Sequence, residues 1–238
     1  GHPAGPADRR GSRDSVRAGR CAAAVALAVL AATGCGAETP DYHSIWSTSS
    51  ATPPPTSSAA PVPIAKFLEG AGVTGEPIAP DKLTDLTVTM PRPKGWEGYS
   101  NPNFAPGTEM IAKGDTYPTA MLVVLKLTGN FDVNEAIKHG YADAELSQNF
   151  KRLNASTDNW KGFPSSMIEG SYDLNGRRLH SYNRIVIATG APQPPKAGQR
   201  YLIQFTVTGY AEKAVEEAAD IEAVIAGFNV AAPNAPPK

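Results

Sequence analysis

The fold is decided by residues 166–188, SMIEGSYDLNGRRLHSYNRIVIA, which contain two β-rich runs joined by a short turn. The turn contains Asn175 and Gly176, and Asn-Gly is the strongest sequence pattern for a two-residue hairpin because both positions need a positive φ. This turn sets Asp173 opposite Arg178, and a pair of opposite charges stabilises two adjacent strands. The stretch therefore predicts a β-hairpin with two antiparallel strands.

Four further strands are predicted on either side of this hairpin, at 86–90, 109–113, 120–127 and 200–208. Residues 120–127, AMLVVLKL, are apolar on both faces, which is typical of a central strand that is covered on both sides. The strand at 200–208 alternates instead. Its alternation predicts that one set of side chains enters the core, namely Ile203, Phe205 and Val207. The other set is predicted to face solvent, namely Gln204, Thr206 and Thr208.

Two main helices are predicted from capping residues and apolar spacing. Asp132 can cap a helix that runs to about residue 150, with Glu135 at the capping-box position. A second helix is predicted at 211–226, where apolar residues recur on one stripe. The order β-β-β-α-β-β-β-α is not a βαβ alternation. We therefore expect a single α+β domain in which an antiparallel sheet packs against two main helices.

The N-terminal region has the composition of an export sequence. Five arginines among the first 20 residues precede an apolar run, 21–32, that is shorter than a membrane-spanning helix. Residues 31–35, AATGC, resemble a bacterial lipobox, in which the cysteine receives a diacylglyceryl group. We therefore expect a lipoprotein signal peptide over 1–34 and lipidation of Cys35. The alternative is a plain secreted protein.

A segment without folding potential follows. Residues 47–63, STSSATPPPTSSAAPVP, are mostly Ser, Thr and Pro, with neither charge nor aromatic. Such a segment buries too little apolar surface to offset the entropy that ordering would cost. We expect a lipidated N-terminus and tether over 35–65, a folded domain over 66–230, and a disordered tail over 231–238.

Charge and cysteine content exclude several classes of protein. The 238 residues carry 22 Lys and Arg against 23 Asp and Glu, and this balance argues against a nucleic-acid binder. The two cysteines, at 21 and 35, are too few for a disulfide scaffold, a thiolate zinc site or an iron–sulfur cluster. We also expect no ordinary transmembrane helix, because no apolar run reaches about 18 residues.

Motifs for catalysis are scarce. The P-loop pattern G-x-x-x-x-G-K-[ST] and the G-x-S-x-G elbow of α/β-hydrolases are both absent. A Ser-His-Asp set can be drawn from Ser165 or Ser166 with His180 and Asp173, but only geometry gives such a set meaning. We expect no enzyme activity, no metal site and no cofactor, and we keep a cryptic hydrolase as a third hypothesis.

Six aromatic side chains lie in or beside loops that are rich in Pro and Gly. They are Trp96, Tyr99, Phe104, Tyr117, Trp160 and Phe163. Loop aromatics can line an apolar ligand pocket, so these six are the predicted ligand-binding residues. The alternative is that they close the ends of the core.

Three segments carry a family resemblance: LTDLTVTMPRPKGWE (83–97), FAPGTEMIAKGDTYPTAMLVVLKLTG (104–129) and FDVNEAIKHGYADAE (131–145). They resemble the Lpp/LpqN family of mycobacterial lipoproteins, and within it the LpqT-like members. The resemblance implies a PsbP-like fold, with an antiparallel sheet between helices, in an exported, acylated protein attached to the cell envelope. It also implies a link to glycolipid handling with lipid-export machinery and to host immune recognition. It supplies no catalytic residues.

The residues and the resemblance together predict a non-enzymatic lipoprotein, anchored by acyl chains on the extracytoplasmic side of the cell membrane. We expect it to bind or escort an apolar envelope lipid or glycolipid. The alternative is a protein-interaction module without a ligand cavity, which assists a membrane transporter for lipid export or engages a host receptor. A continuous cavity among Trp96, Tyr117 and Trp160 would favour the first hypothesis, and a flat exposed apolar patch would favour the second.

Overall fold

The structure is a computed structural model that describes residues 60–233. The helices are α1 (Ile64–Gly70), α2 (Val133–Ile137), α3 (Ala142–Glu145) and α4 (Ala214–Gly227). The strands are β1 (Thr74–Ile78), β2 (Thr87–Thr89), β3 (Trp96–Gly98), β4 (Glu109–Lys113), β5 (Thr119–Thr128), β6 (Lys151–Ser156), β7 (Ser165–Leu174), β8 (Arg177–Thr189), β9 (Arg200–Tyr210) and β10 (Asn229–Ala231). The predicted signal peptide, Cys35 and most of the predicted tether lie outside the described residues.

Eight strands form one antiparallel sheet. Seven of them follow the order β3-β4-β5-β9-β8-β7-β6. The eighth, β1, pairs with the second half of β5, whereas β4 pairs with the first half. β2 and β10 form a separate two-stranded ribbon. This antiparallel sheet with helices packed on it confirms the predicted α+β class.

The hairpin predicted from the sequence is formed by β7 and β8. Asn175 and Gly176 have φ values of 51° and 77°, as a tight turn between two strands requires. Asp173 lies opposite Arg178, and Nη1 of Arg178 donates to Oδ1 of Asp173 over 2.9 Å. β8 pairs along its length with β9, and β9 pairs with β5. The hairpin is therefore continuous with the centre of the sheet.

The sheet buries apolar side chains on both faces. One face, which we call the α1–α2 face, packs against Ile64 and Leu68 of α1 and Ile137 of α2. The other, which we call the α4 face, packs against Val224 of α4 and against Phe228 just beyond it. Successive side chains of β5 alternate between the two cores. This confirms that β5 is a central strand covered on both sides.

The helix predicted from Asp132 to about residue 150 is wrong in its length. Asp132 does cap the helix by accepting a hydrogen bond from the backbone N of Glu135 over 3.1 Å, but α2 ends at Ile137 and the chain turns before α3. A Cβ on Gly140 would lie 1.8 Å from Oγ of Ser166 in β7. The chain therefore approaches the sheet at Gly140 more closely than any other residue would allow, and this contact interrupts the helix.

The other differences concern short elements. The sequence did not predict α1, which begins at Ile64, or the strands β1, β3, β6 and β10. β6 is an edge strand whose first four residues are all exposed, so it has no apolar alternation by which it could be found. The helix predicted at 211–226 is present as α4, after one turn of 3₁₀-helix at Ala211–Lys213.

Candidate functional site

An open groove of about 670 Å³ lies at one end of the sheet. Its walls come from the turn before β2, the end of β5 with the turn that follows, and the β8–β9 loop with the start of β9. We call this cavity the sheet-end groove. It is lined by Thr84, Asp85, Lys126, Leu127, Thr128, Gly129, Asn130, Ala191, Gln193, Lys196, Ala197, Gly198, Gln199, Arg200 and Tyr201.

Hydrogen bonds join the three walls of the sheet-end groove. The backbone N of Gly190 donates to Gln199 O over 2.8 Å, which closes the base of the β8–β9 loop. The backbone N of Ala191 donates to Asp85 O over 2.8 Å, and Nε2 of Gln199 donates to Leu127 O over 2.6 Å. The groove is therefore shaped by contacts within the fold.

Asp85, the acidic residue of the lining, is held by its neighbours. The hydroxyl of Tyr201 donates to Oδ1 of Asp85 over 2.7 Å. A Cβ on Gly190 would lie 2.3 Å from Oδ2 of Asp85, so only glycine leaves room for the carboxylate. Burial, followed by the hydrogen bond to Asp85 and its charge, raises the pKa of Tyr201 above its ordinary value of 10.

Three basic residues line the same groove. Arg200 is half-buried, with its guanidinium carbon 5.2 Å from the ring centroid of Phe131. Lys126 and Lys196 are exposed, and neither forms an ion pair with another residue of the described part. The sheet-end groove therefore has three cations and one carboxylate, and its other polar lining groups are amides and hydroxyls.

A second cavity is small and enclosed. Its volume is about 30 Å³, roughly that of one water molecule, and it lies between the α2–α3 segment and the sheet. Gly140, Asp143, Ala144 and Ser147 cover it. The sheet contributes Tyr172, Ser181, Asn183, Arg184, Ile185, Gln204 and Thr206. The cavity is too small for a lipid or a sugar.

The prediction that the polar side chains of β9 face solvent is wrong. Gln204, Thr206 and Thr208 were expected to face solvent, but only 7%, 6% and 2% of their surfaces are exposed. They lie on the α1–α2 face of β9, which the helices and loops cover. Oγ1 of Thr206 donates to Oδ1 of Asn183 over 3.1 Å, and Nδ2 of Asn183 donates to Oγ of Ser181 over 3.0 Å. We call these side chains the polar band.

Asp143 faces the polar band from α3. Burial raises the pKa of its carboxyl from 3.8 to about 7. A carboxylate loses hydration when it approaches a closed cavity, and this loss favours the protonated form. Near pH 7, Asp143 is therefore protonated in some molecules and ionised in the others.

Three of the six predicted aromatics belong to the α4 face. Trp96 is 3% exposed and belongs to the core, and Nε1 of its indole lies 3.3 Å from Oδ2 of Asp220. Trp160 stacks on Phe228 with the ring centroids 4.9 Å apart, and Phe228 stacks on Phe205 at 4.1 Å. The third aromatic, Phe163, is partly buried against the same core.

The remaining three belong to the α1–α2 face. Phe104 and Tyr117 are buried in that core, and Tyr99 packs against it. The rings of Tyr99 and Phe104 are 6.0 Å apart, and those of Tyr117 and Tyr210 are 4.9 Å apart. The structure therefore divides the six between opposite faces of the sheet. Neither of the two cavities described above is lined by any of them.

The Ser-His-Asp set is not assembled. Ser165 and Ser171 lie on the same strand, and His180 lies opposite Ser171. Six residues along a strand span roughly 20 Å, so Ser165 is far from His180. Its Oγ donates to Ile185 O over 2.9 Å and accepts from Nη1 of Arg184 over 2.8 Å. Ser166 lies on the opposite face, below Gly140. The geometry gives the hydrolase hypothesis no support.

Residues 60–233 contain neither a dinucleotide-binding turn nor a cluster of metal-ligating side chains. Residues 70–75, GAGVTG, have the spacing G-x-G-x-x-G, but they follow a helix and enter a strand, which is the reverse of a dinucleotide-binding turn. Among the described residues, no group of three His, Cys, Asp or Glu side chains could hold a metal ion. None of the helices in this part is long and apolar enough to cross a membrane.

The fold and the groove together define a class: an α+β domain with an antiparallel sheet between helices and a polar groove at one sheet end. The family described as "Probable lipoprotein LpqN", Lpp-LpqN, matches residues 60–231. The chain therefore belongs to the Lpp-LpqN family, which confirms the resemblance found in the sequence.

The sequence similarity to known proteins extends beyond the described domain. The chain is 58% identical over 227 residues to a Mycobacterium tuberculosis protein named "Putative lipoprotein LpqT", covering 95% of this chain and 99% of the relative. It is 52% identical to the Mycobacterium leprae protein of the same name, covering 88% of this chain and 94% of the relative. The crystal structure of LpqN from Mycobacterium tuberculosis, described as involved in cell envelope biogenesis, matches 72% of this chain and 98% of that chain. Its TM-score is 0.59 at 18% identity, which shows a shared fold.

Proposed function

We propose that this chain is an exported, lipid-anchored protein of the cell envelope that binds a lipid through its polar headgroup, foremost a glycolipid, and catalyses no reaction. The observation that carries the proposal is the sheet-end groove. At about 670 Å³ it lies within the range of small-molecule sites, and its lining is rich in amides, hydroxyls and charges. These groups form hydrogen bonds with sugars and other headgroups.

The proposed anchor is Cys35, acylated after cleavage of a signal peptide over 1–34. Two observations support it: the lipobox-like AATGC at 31–35, and relatives at 58% and 52% identity that are named as lipoproteins. In a mycobacterial cell, Cys35→Ala should move the protein from the membrane fraction to the soluble fraction, because two or more acyl chains are what hold a lipoprotein stably. A variant that stays membrane-bound through high-salt washing would contradict the anchor.

The lining of the sheet-end groove suits the headgroup of a lipid better than its acyl chain. An acyl chain gains affinity by burial of methylenes, which needs an apolar channel. Three of the six predicted aromatics are buried in the cores: Trp96 on one face, and Phe104 and Tyr117 on the other. The proposal that aromatics contact the ligand is therefore restricted to the half-buried Tyr99, Trp160 and Phe163, with the headgroup in the groove.

The proposed anchor also explains how weak contacts with a headgroup suffice to bind a lipid of the same membrane. A few hydrogen bonds in an open groove give modest affinity, because association costs several kcal/mol in lost freedom. A protein tethered to the same membrane meets its lipid at a high effective concentration, in the millimolar range for a short flexible linker. The predicted tether over 35–65 would provide that linker.

The test is calorimetric titration of the full chain carrying Cys35→Ala with dodecyl maltoside, kept below its micelle concentration. Ala197→Trp places a large side chain in the groove from an exposed loop position and should weaken binding at least tenfold. Ala223→Trp, at an exposed position of α4, is the matched control and should leave binding unchanged. Equal binding by both variants, or no heat with the unsubstituted groove, would contradict the proposal.

Failure of this test would favour the alternative, a protein-interaction module. Four large apolar side chains are exposed in the described part: Val62, Leu146, Leu153 and Val215. An interaction surface needs a large contiguous apolar patch, and four side chains provide little area for one, so the groove is the better-supported site.

A further inference from the structure

The lysines of the sheet-end groove differ from Lys113 of β4 in their acidic neighbours. Nζ of Lys113 lies 3.1 Å from Oε2 of Glu217 and 2.9 Å from Oδ2 of Asp220, so its charge is neutralised within the protein. Lys126 and Lys196 form no such pair with any residue of the described part. Two exposed charges that face one groove, with no ion-pair partner among residues 60–233, are available to an anion.

The acidic residues near the groove offset these charges only in part. Asp85 is the one carboxylate in a lining with three cations, and its Oδ1 accepts the Tyr201 hydroxyl. Glu76 of β1 is the register partner of Lys126 in β5, yet the two form no ion pair. Three cations against one carboxylate leave the lining with a net formal charge of +2, which attracts an anion.

The neighbouring groups fit the oxygens of a phosphate. Lysine binds phosphate as a point charge, and Arg200 contributes a third cation at the same end of the sheet. Asn130, Thr128 and Gln193 add amide and hydroxyl donors around the lysines. A chain with a net charge of −1 has no general attraction for anions, so this cluster is a local feature.

We infer that the sheet-end groove selects anionic phospholipids, whose headgroup phosphate is not neutralised by a cation of the same lipid, and that Lys126 and Lys196 bind this anion. The inference rests on the proposed function and names the headgroup chemistry within it. The lipid, and not free phosphate, is the expected source, because the groove is large enough for a headgroup that extends beyond the phosphate itself.

The test uses the full chain carrying Cys35→Ala and vesicles of phosphatidylcholine, with or without one third phosphatidylglycerol. The choline of phosphatidylcholine neutralises its own phosphate, so we expect sedimentation with the anionic vesicles only, weakened by added salt. Lys126→Gln with Lys196→Gln should lower the affinity about thirtyfold, since each lysine near an anionic surface contributes about a factor of five. Lys94→Gln with Lys151→Gln removes the same charge from exposed positions outside the groove and should change affinity less than threefold.

Each other outcome overturns the inference in a distinct way. Equal losses in the two double variants would mean a non-specific charge effect. Displacement of the vesicles by millimolar inorganic phosphate would assign the groove to free phosphate. If dodecyl maltoside binds in the groove but anionic vesicles show no preference, the inference fails while the proposed function stands. If neither binds, both fail.

Discussion

The aromatic clusters and the sheet-end groove differ in what their side chains contact. On the α4 face, Trp160, Phe228 and Phe205 stack in a row and contact one another. In the groove, Lys126 and Lys196 face solvent and contact no opposite charge of the described part. The aromatic rings are thus used here for packing, whereas the two lysines at the sheet end are exposed and have no ion-pair partner among the described residues. The comparison predicts that substitutions in the first region change stability and that those in the second change binding.

The largest effect is expected for Phe228→Ala. Phe228 is almost fully buried between two rings, and truncation of a buried Phe costs about 4 kcal/mol in the free energy of unfolding. Chemical denaturation measures this loss. Val215→Ala, at a side chain that is 92% exposed, should stay within about 0.5 kcal/mol. A loss below about 1 kcal/mol for Phe228→Ala would contradict the structural role of the stack.

A smaller loss is expected for Tyr201→Phe, which removes one hydroxyl between the two regions. The lost hydrogen bond to the Asp85 carboxylate is worth about 2 kcal/mol, because bonds to charged groups are stronger than neutral ones. Tyr182→Phe is the control on the α4 face, away from the groove. It removes a hydroxyl that accepts a hydrogen bond from Nε of Arg184. If Tyr201→Phe unfolds at the same denaturant concentration as wild type, the Asp85 contact does not shape the groove.

Next in size is the pH dependence caused by Asp143. Its pKa is raised to about 7 in the folded protein, so the folded state holds this proton more tightly than the unfolded chain does. The free energy of unfolding should therefore fall as pH rises from about 4 to about 7. Part of this side chain reaches solvent, so we expect about 1 kcal/mol.

Asp143→Asn isolates this contribution. The variant lacks the titrating carboxyl, so wild type should lose about 1 kcal/mol relative to the variant across this window and then run parallel to it. Denaturation curves at a series of pH values measure the difference. Parallel behaviour of the two proteins throughout would show that Asp143 is not desolvated over the polar band.

The smallest stability effect is expected in the groove itself. Lys126→Gln and Lys196→Gln should each leave the free energy of unfolding within about 0.5 kcal/mol of wild type, because both side chains are exposed and unpaired within the described part. Thermal unfolding of the two variants tests this. A loss above about 1 kcal/mol would mean that these lysines stabilise the fold, and a change in binding could then not be assigned to the groove alone.

The centre of the sheet could be predicted because its patterns are local. Asn175-Gly176 determines a turn from two residues, and the apolar run in β5 indicates burial on both faces without knowledge of its neighbours. The edge strand β6 has no such pattern, since its place in the sheet depends on pairing with β7. Local patterns therefore predict the centre, and tertiary contacts determine the edges.

The polar band was mistaken for a solvent face for a related reason. Alternation in β9 shows that Gln204 and Thr206 lie on one side, but it does not show what covers that side. The cover is the α2–α3 segment, which bends toward the sheet at Gly140. Gly140, Ala142 and Ala144 are small, and this is the one pattern in the sequence that could have indicated a close approach.

The groove was not predicted, because its walls come from three distant parts of the chain. Lys126 is the one charged residue in an otherwise apolar strand, and Lys196 follows a run of prolines, so each was visible alone. Their convergence depends on the pairing of β5 with β9. The loop aromatics were chosen instead because sequence does not reveal whether a ring packs or stays accessible.

The central claim is that the ligand headgroup occupies the sheet-end groove and not the cores that contain the buried Trp96 and Tyr117. Two-dimensional NMR of the full chain carrying Cys35→Ala, titrated with dodecyl maltoside below its micelle concentration, tests it directly. The account predicts shifted amide signals at 126–130 and 191–201, with the indole signal of Trp96 unchanged. Shifts confined to Trp96, Tyr117 and their neighbours, with silent groove amides, would contradict it.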